Sequence, residues 1–281
     1  TDNDINANTD ADRDTYADAQ KDTGVNKIKG FLIDLDGCVY RGDTLIEGSG
    51  AAIKALKGAG RKILYLTNNS TKTPQEYALK LRRLGIDADP EEILTSAVAT
   101  AAYMRRFERG SCYVIGEEAL RSAITQEGFS IVEEGNEGCA KYVVCGLDRG
   151  FTYRKLAAAC AAVQRGAKFI ATNADPNLPV EGGYLPGAGS IVGAVRIATG
   201  VRPIVVGKPS RYIMEIALGR LGLNREEVVI VGDRADIDVK AGKVAGIYTV
   251  LVSPGGALKG RKTRPTPDLV VGSLYDLAAL L

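Results

Sequence analysis

The chain has 281 residues, 45% of them hydrophobic and 25% charged, with a formal net charge of +2, the balance of an ordinary globular protein with one large or two moderate domains. It contains no His, which excludes Ser-His-Asp triads, Cys-His dyads, phosphohistidine chemistry and most catalytic zinc sites; acid–base work near neutral pH then falls to carboxylates, Lys, Tyr or Cys. The basic residues form no dense block and no apolar run approaches the roughly 18 residues that span a bilayer, so neither nucleic acid nor membrane is an expected partner and the cytoplasm is the expected setting.

Residues 1–26 carry seven Asp against Arg13 and Lys21, a net of −5 that leaves +7 for the rest. With almost no bulky apolar side chain, this acidic tail buries too little surface to offset its ordering entropy, and disorder is expected. Asp10, Asp12, Asp14 and Asp18 imitate the first ligands of a calcium loop. However, Thr15 stands where Gly is needed and Lys21 where the bidentate Glu belongs, which argues against a calcium site.

From Lys27 onward, strands alternate with helices. Residues 31–36 are a short apolar run ending in acids, the mark of a buried parallel strand. A helix is predicted over 51–58, stopped by Gly58 and Gly60, and a strand over 62–67. Thr73 as N-cap, Pro74 at the first helical position and Gly85 beyond the end frame a helix over 74–84. A third strand follows at 93–95. A second block predicts strands near 112–115, 130–132, 142–146 and 169–172, with helices near 117–127 and 153–165 between them. The first pattern then resumes, with strands over 203–206, 228–231 and 248–252 and a helix over 210–221. Such alternation predicts the α/β class, with doubly wound parallel sheets and right-handed crossovers. The five Cys include no CxxC pair; with apolar neighbours they read as buried thiols in a reducing compartment, not as zinc ligands.

In open α/β sheets, ligands bind beyond the carboxyl ends of the strands. Four predicted strands end in polar clusters: Asp34, Asp36 and Gly37; Thr67, Asn68, Asn69 and Ser70; Gly207, Lys208 and Pro209; Gly232, Asp233, Arg234, Asp236 and Asp238. Gathered on one rim, they make a phosphoryl-transfer site. Asp34 and Asp233 supply hard oxygen ligands suited to Mg²⁺. A cation lets a carboxylate approach a phosphate, an encounter that otherwise costs about 4 kcal/mol at ~4 Å and an effective dielectric of ~20. Lys208 adds a fixed positive charge for a phosphate oxygen, and Thr67 adds a hydroxyl. Gly37 permits a turn that lifts Asp36 toward a leaving group.

This set resembles the haloacid dehalogenase superfamily of aspartyl-phosphate phosphatases, whose motifs occur here in the same chain order. Further runs resemble its NagD-type or para-nitrophenylphosphatase branch, which includes phosphoglycolate phosphatases: Tyr40-Arg41-Gly42-Asp43, Thr67 through Pro74, Ala171 through Pro176 and Pro186 through Ser190. The resemblance covers the chain from Ile28 onward. It implies a doubly wound core over 27–96 and 198–281 and an inserted α/β cap over 97–197. It also implies Asp34 as nucleophile and magnesium ligand, and Asp36 as general acid and base whose backbone carbonyl touches the metal. Thr67, Asn68 and Lys208 are implied to hold the phosphoryl group, Asp233 to bind the metal and Asp238 to support its shell directly or through water. Asn173 and Asp175 are implied to face the substrate entrance. The implied substrate is a small phosphorylated metabolite, and cap-to-cap homodimers are known in this branch. Ala235 and Ile237 stand where Leu and Thr are common in the family, and Cys38 follows the first acidic motif; these touch the tuning of the site, not the reaction class.

Other patterns read as structural. Arg149 and Arg165 lie at the wrong spacing from Cys145 and Cys160 for a Cys-based phosphate loop. Arg261 occupies the Lys position of an imitation P-loop that begins at Gly255. Gly187 and Gly189 lack a third Gly at dinucleotide-binding spacing, and Asp236 reads as a surface or capping residue. A phosphotransferase, a receiver-like module that accepts phosphate on Asp34, and a non-catalytic sugar-phosphate binder are the rival readings. The carboxylate at Asp36 and the long insertion weigh against the receiver.

Overall fold

Six parallel strands form the larger sheet. The computed structural model describes residues 27–180, 182–253 and 263–280; the acidic tail, the calcium-loop imitation and the P-loop imitation lie outside the described residues. In chain order the elements are β1 (Gly30–Asp34), a hairpin of β2 (Tyr40–Arg41) and β3 (Thr44–Leu45), α1 (Ser49–Gly58), β4 (Lys62–Thr67), α2 (Pro74–Arg83), β5 (Ile93–Thr95) and α3 (Ser96–Met104). The second block holds β6 (Ser111–Ile115), α4 (Glu118–Gln126), β7 (Ser130–Ile131), β8 (Tyr142–Cys145), α5 (Tyr153–Gln164) and β9 (Lys168–Ala171). There follow a hairpin of β10 (Asn177–Val180) and β11 (Gly183–Pro186), then α6 (Ala188–Thr199) and β12 (Ile204–Val205). The chain closes with α7 (Arg211–Leu221), β13 (Val228–Gly232), one π-helical turn (Ala235–Val239), α8 (Lys240–Ala245), β14 (Tyr248–Val252), β15 (Leu269–Val271) and α9 (Leu274–Ala279).

Read along the chain, the larger sheet is doubly wound: β1, β4 and β5 run outward on one side, and β13, β14 and β15 on the other. Its switch point therefore lies between β1 and β13, which pair in parallel from Gly30 opposite Val228 to Ile33 opposite Val231. The smaller sheet is also parallel, in the order β12-β9-β8-β6-β7, and it reverses between β6 and β8. The run expected as a core strand at 203–206 shortens to Ile204–Val205 and pairs with β9, so the second sheet extends past residue 197.

Local signals account for the helix ends. Thr73 accepts from the Glu76 N–H while Glu76 accepts from the Thr73 N–H, with Pro74 at the first helical position, a capping box worth about 1 kcal/mol. Three apolar clusters fill the layers. One lies under β1, β4 and β13 on the side of α1, α2 and α9. Another lies between the smaller sheet and α5 and α6. The largest is continuous from Leu32, Leu64 and Ile230 of the larger sheet to Val114, Val144 and Ile170 of the smaller, by way of Met104 on α3 and Met214 on α7. No described helix is long and apolar enough to cross a membrane. Cys38, Cys112 and Cys145 are buried as expected, but Cys139, in a short loop turn, is exposed, and Cys160 packs against the apolar cluster under α5 while staying half-buried.

Candidate active site

The switch point of the larger sheet places Asp34, at the end of β1, beside Asp233, which follows β13. Gly37 allows the two to meet. Its φ of 86° is left-handed, and a Cβ there would come 2.1 Å from Asp233 Oδ2, so no other residue fits without displacing that carboxylate. The π-helical turn then carries Asp238 back under Gly232, and its side chain accepts from the Arg234 N–H at 3.2 Å. Carboxylate oxygens of Asp34, Asp233 and Asp238 all lie within 4.8 Å of one another.

Lys208 enters this acidic cluster from the connection between β12 and α7. Its Nζ donates to Asp34 at 2.6 Å, to Asp238 at 2.7 Å and to the Leu66 carbonyl at 3.1 Å, with only 2% of the residue exposed. Asn68 holds that connection in place: its side chain accepts from the Lys208 N–H at 2.8 Å and donates to the Lys208 carbonyl at 2.9 Å. Thr67, buried at the end of β4, is a hydrogen-bond partner of the buried Tyr77 and accepts from the Asn69 N–H at 3.1 Å. Asp36 stands open to the cavity next to these groups.

The opposite wall comes from the smaller sheet, whose carboxyl edge faces that of the larger. Beyond β9, the buried Asn173 donates to the Asn68 carbonyl at 2.7 Å and accepts from the Asp175 N–H at 3.0 Å. Asp175 in turn accepts from the Asn68 side chain at 2.9 Å and lies 3.5 Å from Arg234. The glycines at 187 and 189 serve this loop. Gly189 donates to the Asp175 carbonyl at 2.8 Å, and a Cβ on it would come 2.3 Å from the Ala174 carbonyl oxygen. Beyond β8, the Leu147 N–H donates to Ser70 at 3.3 Å. The two edges enclose a cavity of about 770 Å³, with all nine sequence-predicted site residues on its wall, and Leu147, Leu178, Val180, Arg41 and Arg234 among the rest.

The electrostatics are unbalanced by design of the residue set. Burial, against the pull of Lys208, pushes the Asp34 carboxyl well above its usual range, and Asp238 and Asp233 push it the same way. Burial, then Asp238, raises Asp233 to about 6. Enough protein surrounds Asp36 that burial raises it too, with Lys80 and Tyr40 opposing. Burial alone would lower Lys208, but Asp238 and Asp34 outweigh it and the ammonium is held charged. One lysine faces three clustered carboxylates, and Asp233 Oδ1 is buried without a hydrogen-bond partner among the described residues. A buried, unpartnered carboxylate oxygen is costly. An all-oxygen set of this charge fits a hard divalent cation such as Mg²⁺, which would satisfy that oxygen and neutralise the excess.

Sequence reading singled out nine residues, and the fold brings all of them to one cavity. It passed over the bridging role of Arg234, which pairs with Asp236 at 2.9 Å as well as reaching Asp175; Asp236 is the exposed surface residue expected. It also passed over Tyr40 and Lys80, which stand behind Asp36. Tyr40 had a signal in the run from Tyr40 to Asp43, and Lys80 had none.

Residues 31–130 match the family model described as haloacid dehalogenase-like hydrolase, and residues 205–277 match a second, HAD-hydrolase-like model. An acid sugar phosphatase of Staphylococcus haemolyticus is 43% identical over 247 residues, which span 86% of this chain and 93% of that one. The solved structure of a 4-nitrophenylphosphatase from Thermotoga maritima superposes with a TM-score of 0.84 at 34% identity, covering 91% of this chain and 98% of its own. A p-nitrophenyl phosphatase from Archaeoglobus fulgidus superposes with a TM-score of 0.84 at 36% identity, covering 90% of this chain and 99% of its own.

Proposed function

The chain belongs to the haloacid dehalogenase-like hydrolase family and is a phosphatase of phosphomonoesters; we propose that it works through a phospho-aspartate on Asp34, with Asp36 as general acid and base and Mg²⁺ as cofactor. The observation that carries this reading is Lys208 clamped between Asp34 and Asp238 beside the unpartnered oxygen of Asp233.

Asp34, Asp233 and Asp238 would hold the cation, Asp238 directly or through water, together with the backbone carbonyl of Asp36. When bound, it supplies the positive charge that lets a carboxylate meet a phosphate dianion. The remaining work falls to the chain's own groups. Lys208, the Thr67 hydroxyl and Asn68 orient the phosphoryl group in line with Asp34. An Asp34 oxygen bonds to phosphorus as the ester P–O bond breaks. The electron pair of that bond stays on the leaving oxygen, which takes a proton from Asp36. Asp36 then removes a proton from water as the water oxygen attacks phosphorus, releasing phosphate and restoring the Asp34 carboxylate.

The cavity of about 770 Å³, closed on one side by the loop bearing Asn173 and Asp175, suits a small phosphomonoester better than a folded protein. Sugar phosphates, phosphoglycolate and 4-nitrophenyl phosphate are the substrates of this reading, the first and last in keeping with the names of the relatives. A homodimer through the smaller α/β unit belongs to it as well, supported by exposed Tyr184 and Leu185 on β11 and Ile197 on α6.

The test is phosphate release from 4-nitrophenyl phosphate and a panel of small phosphomonoesters, with MgCl₂ and with EDTA. Release that needs the cation is expected. Equal release in EDTA would remove the metal from the proposal, and no release by folded protein with MgCl₂ would remove the mechanism.

A further inference from the structure

Behind Asp36 stands a pair of side chains that the steps above do not use. Asp36 and Tyr40 face each other across a tight loop, bridged through their backbones, with the Gly37 N–H donating to the Tyr40 carbonyl at 2.8 Å. Tyr40 is fully buried, and its hydroxyl donates to Asp36 Oδ2 across a long 3.4 Å. A buried phenol requires a partner for its polar end, and this carboxylate oxygen is the partner. Over the face of the same ring stands Lys80 of α2, with Nζ 3.8 Å from the ring centroid. Lys80 is itself tied to the β2–β3 turn: it donates to the Gly42 carbonyl at 2.7 Å and lies 3.5 Å from Asp43. It thus fastens the hairpin to α2, and a cation over the ring makes the phenol a better donor.

We propose that Tyr40 and Lys80 are positioning residues for proton transfer: Tyr40 ties down one oxygen of Asp36 so that the other faces the leaving oxygen, and Lys80 locks the ring that does so. This rests on the reading of Asp36 as general acid. Neither side chain lines the cavity, so neither touches substrate. As the Asp34–phosphorus bond forms and the ester bond breaks, the leaving oxygen receives both the bonding electrons and the proton of the free Asp36 oxygen. A carboxylic acid that swings loses that alignment, and the loss grows with the basicity of the leaving group.

The experiment measures kcat/KM, which reports the steps through phosphoryl transfer to Asp34, for substituted phenyl phosphates from 4-nitrophenyl to 4-methoxyphenyl. It compares the parent enzyme with Tyr40→Phe, Lys80→Met and Asp36→Asn. Tyr40→Phe is expected to lose about twofold on the 4-nitrophenyl ester and about tenfold on the 4-methoxyphenyl ester. Lys80→Met should shift in the same sense by less, and Asp36→Asn by more. An equal fall on every ester in Tyr40→Phe, while Asp36→Asn keeps its steep dependence, overturns the positioning role and leaves Asp36 as acid. An equal fall on every ester in Asp36→Asn overturns the acid assignment, and the positioning role with it. Should Tyr40→Phe fail to fold, Lys80→Met decides: its side chain is 17% exposed on a helix surface, and a uniform loss there overturns the proposal.

Discussion

Lys208, only 2% exposed at the wall of the cavity, donates a hydrogen bond of 2.6 Å to Asp34. The lysine cannot neutralise Asp34 fully, because it shares its charge with Asp238 at 2.7 Å while burial and the neighbouring acids hold the Asp34 carboxyl high. Asp34→Asn therefore removes the proposed nucleophile and relieves repulsion at once. Turnover is expected to fall by at least about a thousandfold, with a thermal midpoint in EDTA equal to or above that of the parent. Residual turnover near the parent rate in purified Asp34→Asn would remove the nucleophile assignment.

Lys208→Met leaves three clustered carboxylates without their cation. Breaking a buried ion pair from one side costs about 3–5 kcal/mol, and urea unfolding in EDTA should show a loss of that order. Added MgCl₂ should restore part of it, since a divalent cation takes over the neutralising role. An unchanged urea midpoint in EDTA would mean that the carboxylates do not carry their charge in the folded protein.

The close approach at Gly189 yields a third expectation. A methyl group there would meet the Ala174 carbonyl at 2.3 Å, so Gly189→Ala must push away the loop that carries Asn173 and Asp175. Overpacking of this kind costs about 1–3 kcal/mol. The loop lines the cavity and is proposed to face the substrate, so KM should rise, by about tenfold, more than kcat falls. Steady-state kinetics that show only a kcat loss would argue against a substrate-facing role for the loop.

A fourth expectation concerns pH and lies away from the site. Burial would raise Asp268, but hydrogen bonds from Lys243 and from the Thr249 hydroxyl and N–H outweigh it, and the carboxyl is held below its usual value. A group with a lowered folded pKa contributes its stability above the unfolded value near ~3.9 and loses it as pH falls through the folded value. Asp268→Ala should thus cost about 1–2 kcal/mol at neutral pH, and the difference from the parent should shrink as pH falls below about 4. Urea midpoints at the two pH values check it; a constant difference would mean that the contacts act without the charge.

Much of the architecture was legible because local and tertiary preferences agree. β1, β4 and β13 are apolar runs that end in the residues the site uses, and Thr73 and Pro74 mark the start of α2 while Gly85 lies just beyond its end. The elements that escaped notice lack such agreement. α3 is buried on nearly every side, so Ser96 through Met104 shows no amphipathic stripe. The strands β2 and β3 are two residues each, too short for any period. The β10–β11 hairpin contains Pro179 and Pro186, which weaken a strand signal. α6 begins at a Gly-rich turn whose glycines answer a loop distant in sequence. At the site, acids and Lys208 could be named from strand ends, whereas Arg234, Tyr40 and Lys80 act through partners that only folding brings near.

The apolar cluster that runs from Leu32 and Leu64 through Met104 and Met214 to Val144 and Ile170 makes the two sheets thermodynamic neighbours. Neither can lose its packing without wetting side chains that belong to the other. The smaller sheet is thus no detachable module: separated from the larger, it would show water the apolar side of β6, β8 and α4. Heat or urea should take both sheets apart in one cooperative transition, reported alike by Tyr113 in one sheet and Tyr65 in the other, instead of melting a lid from a surviving base.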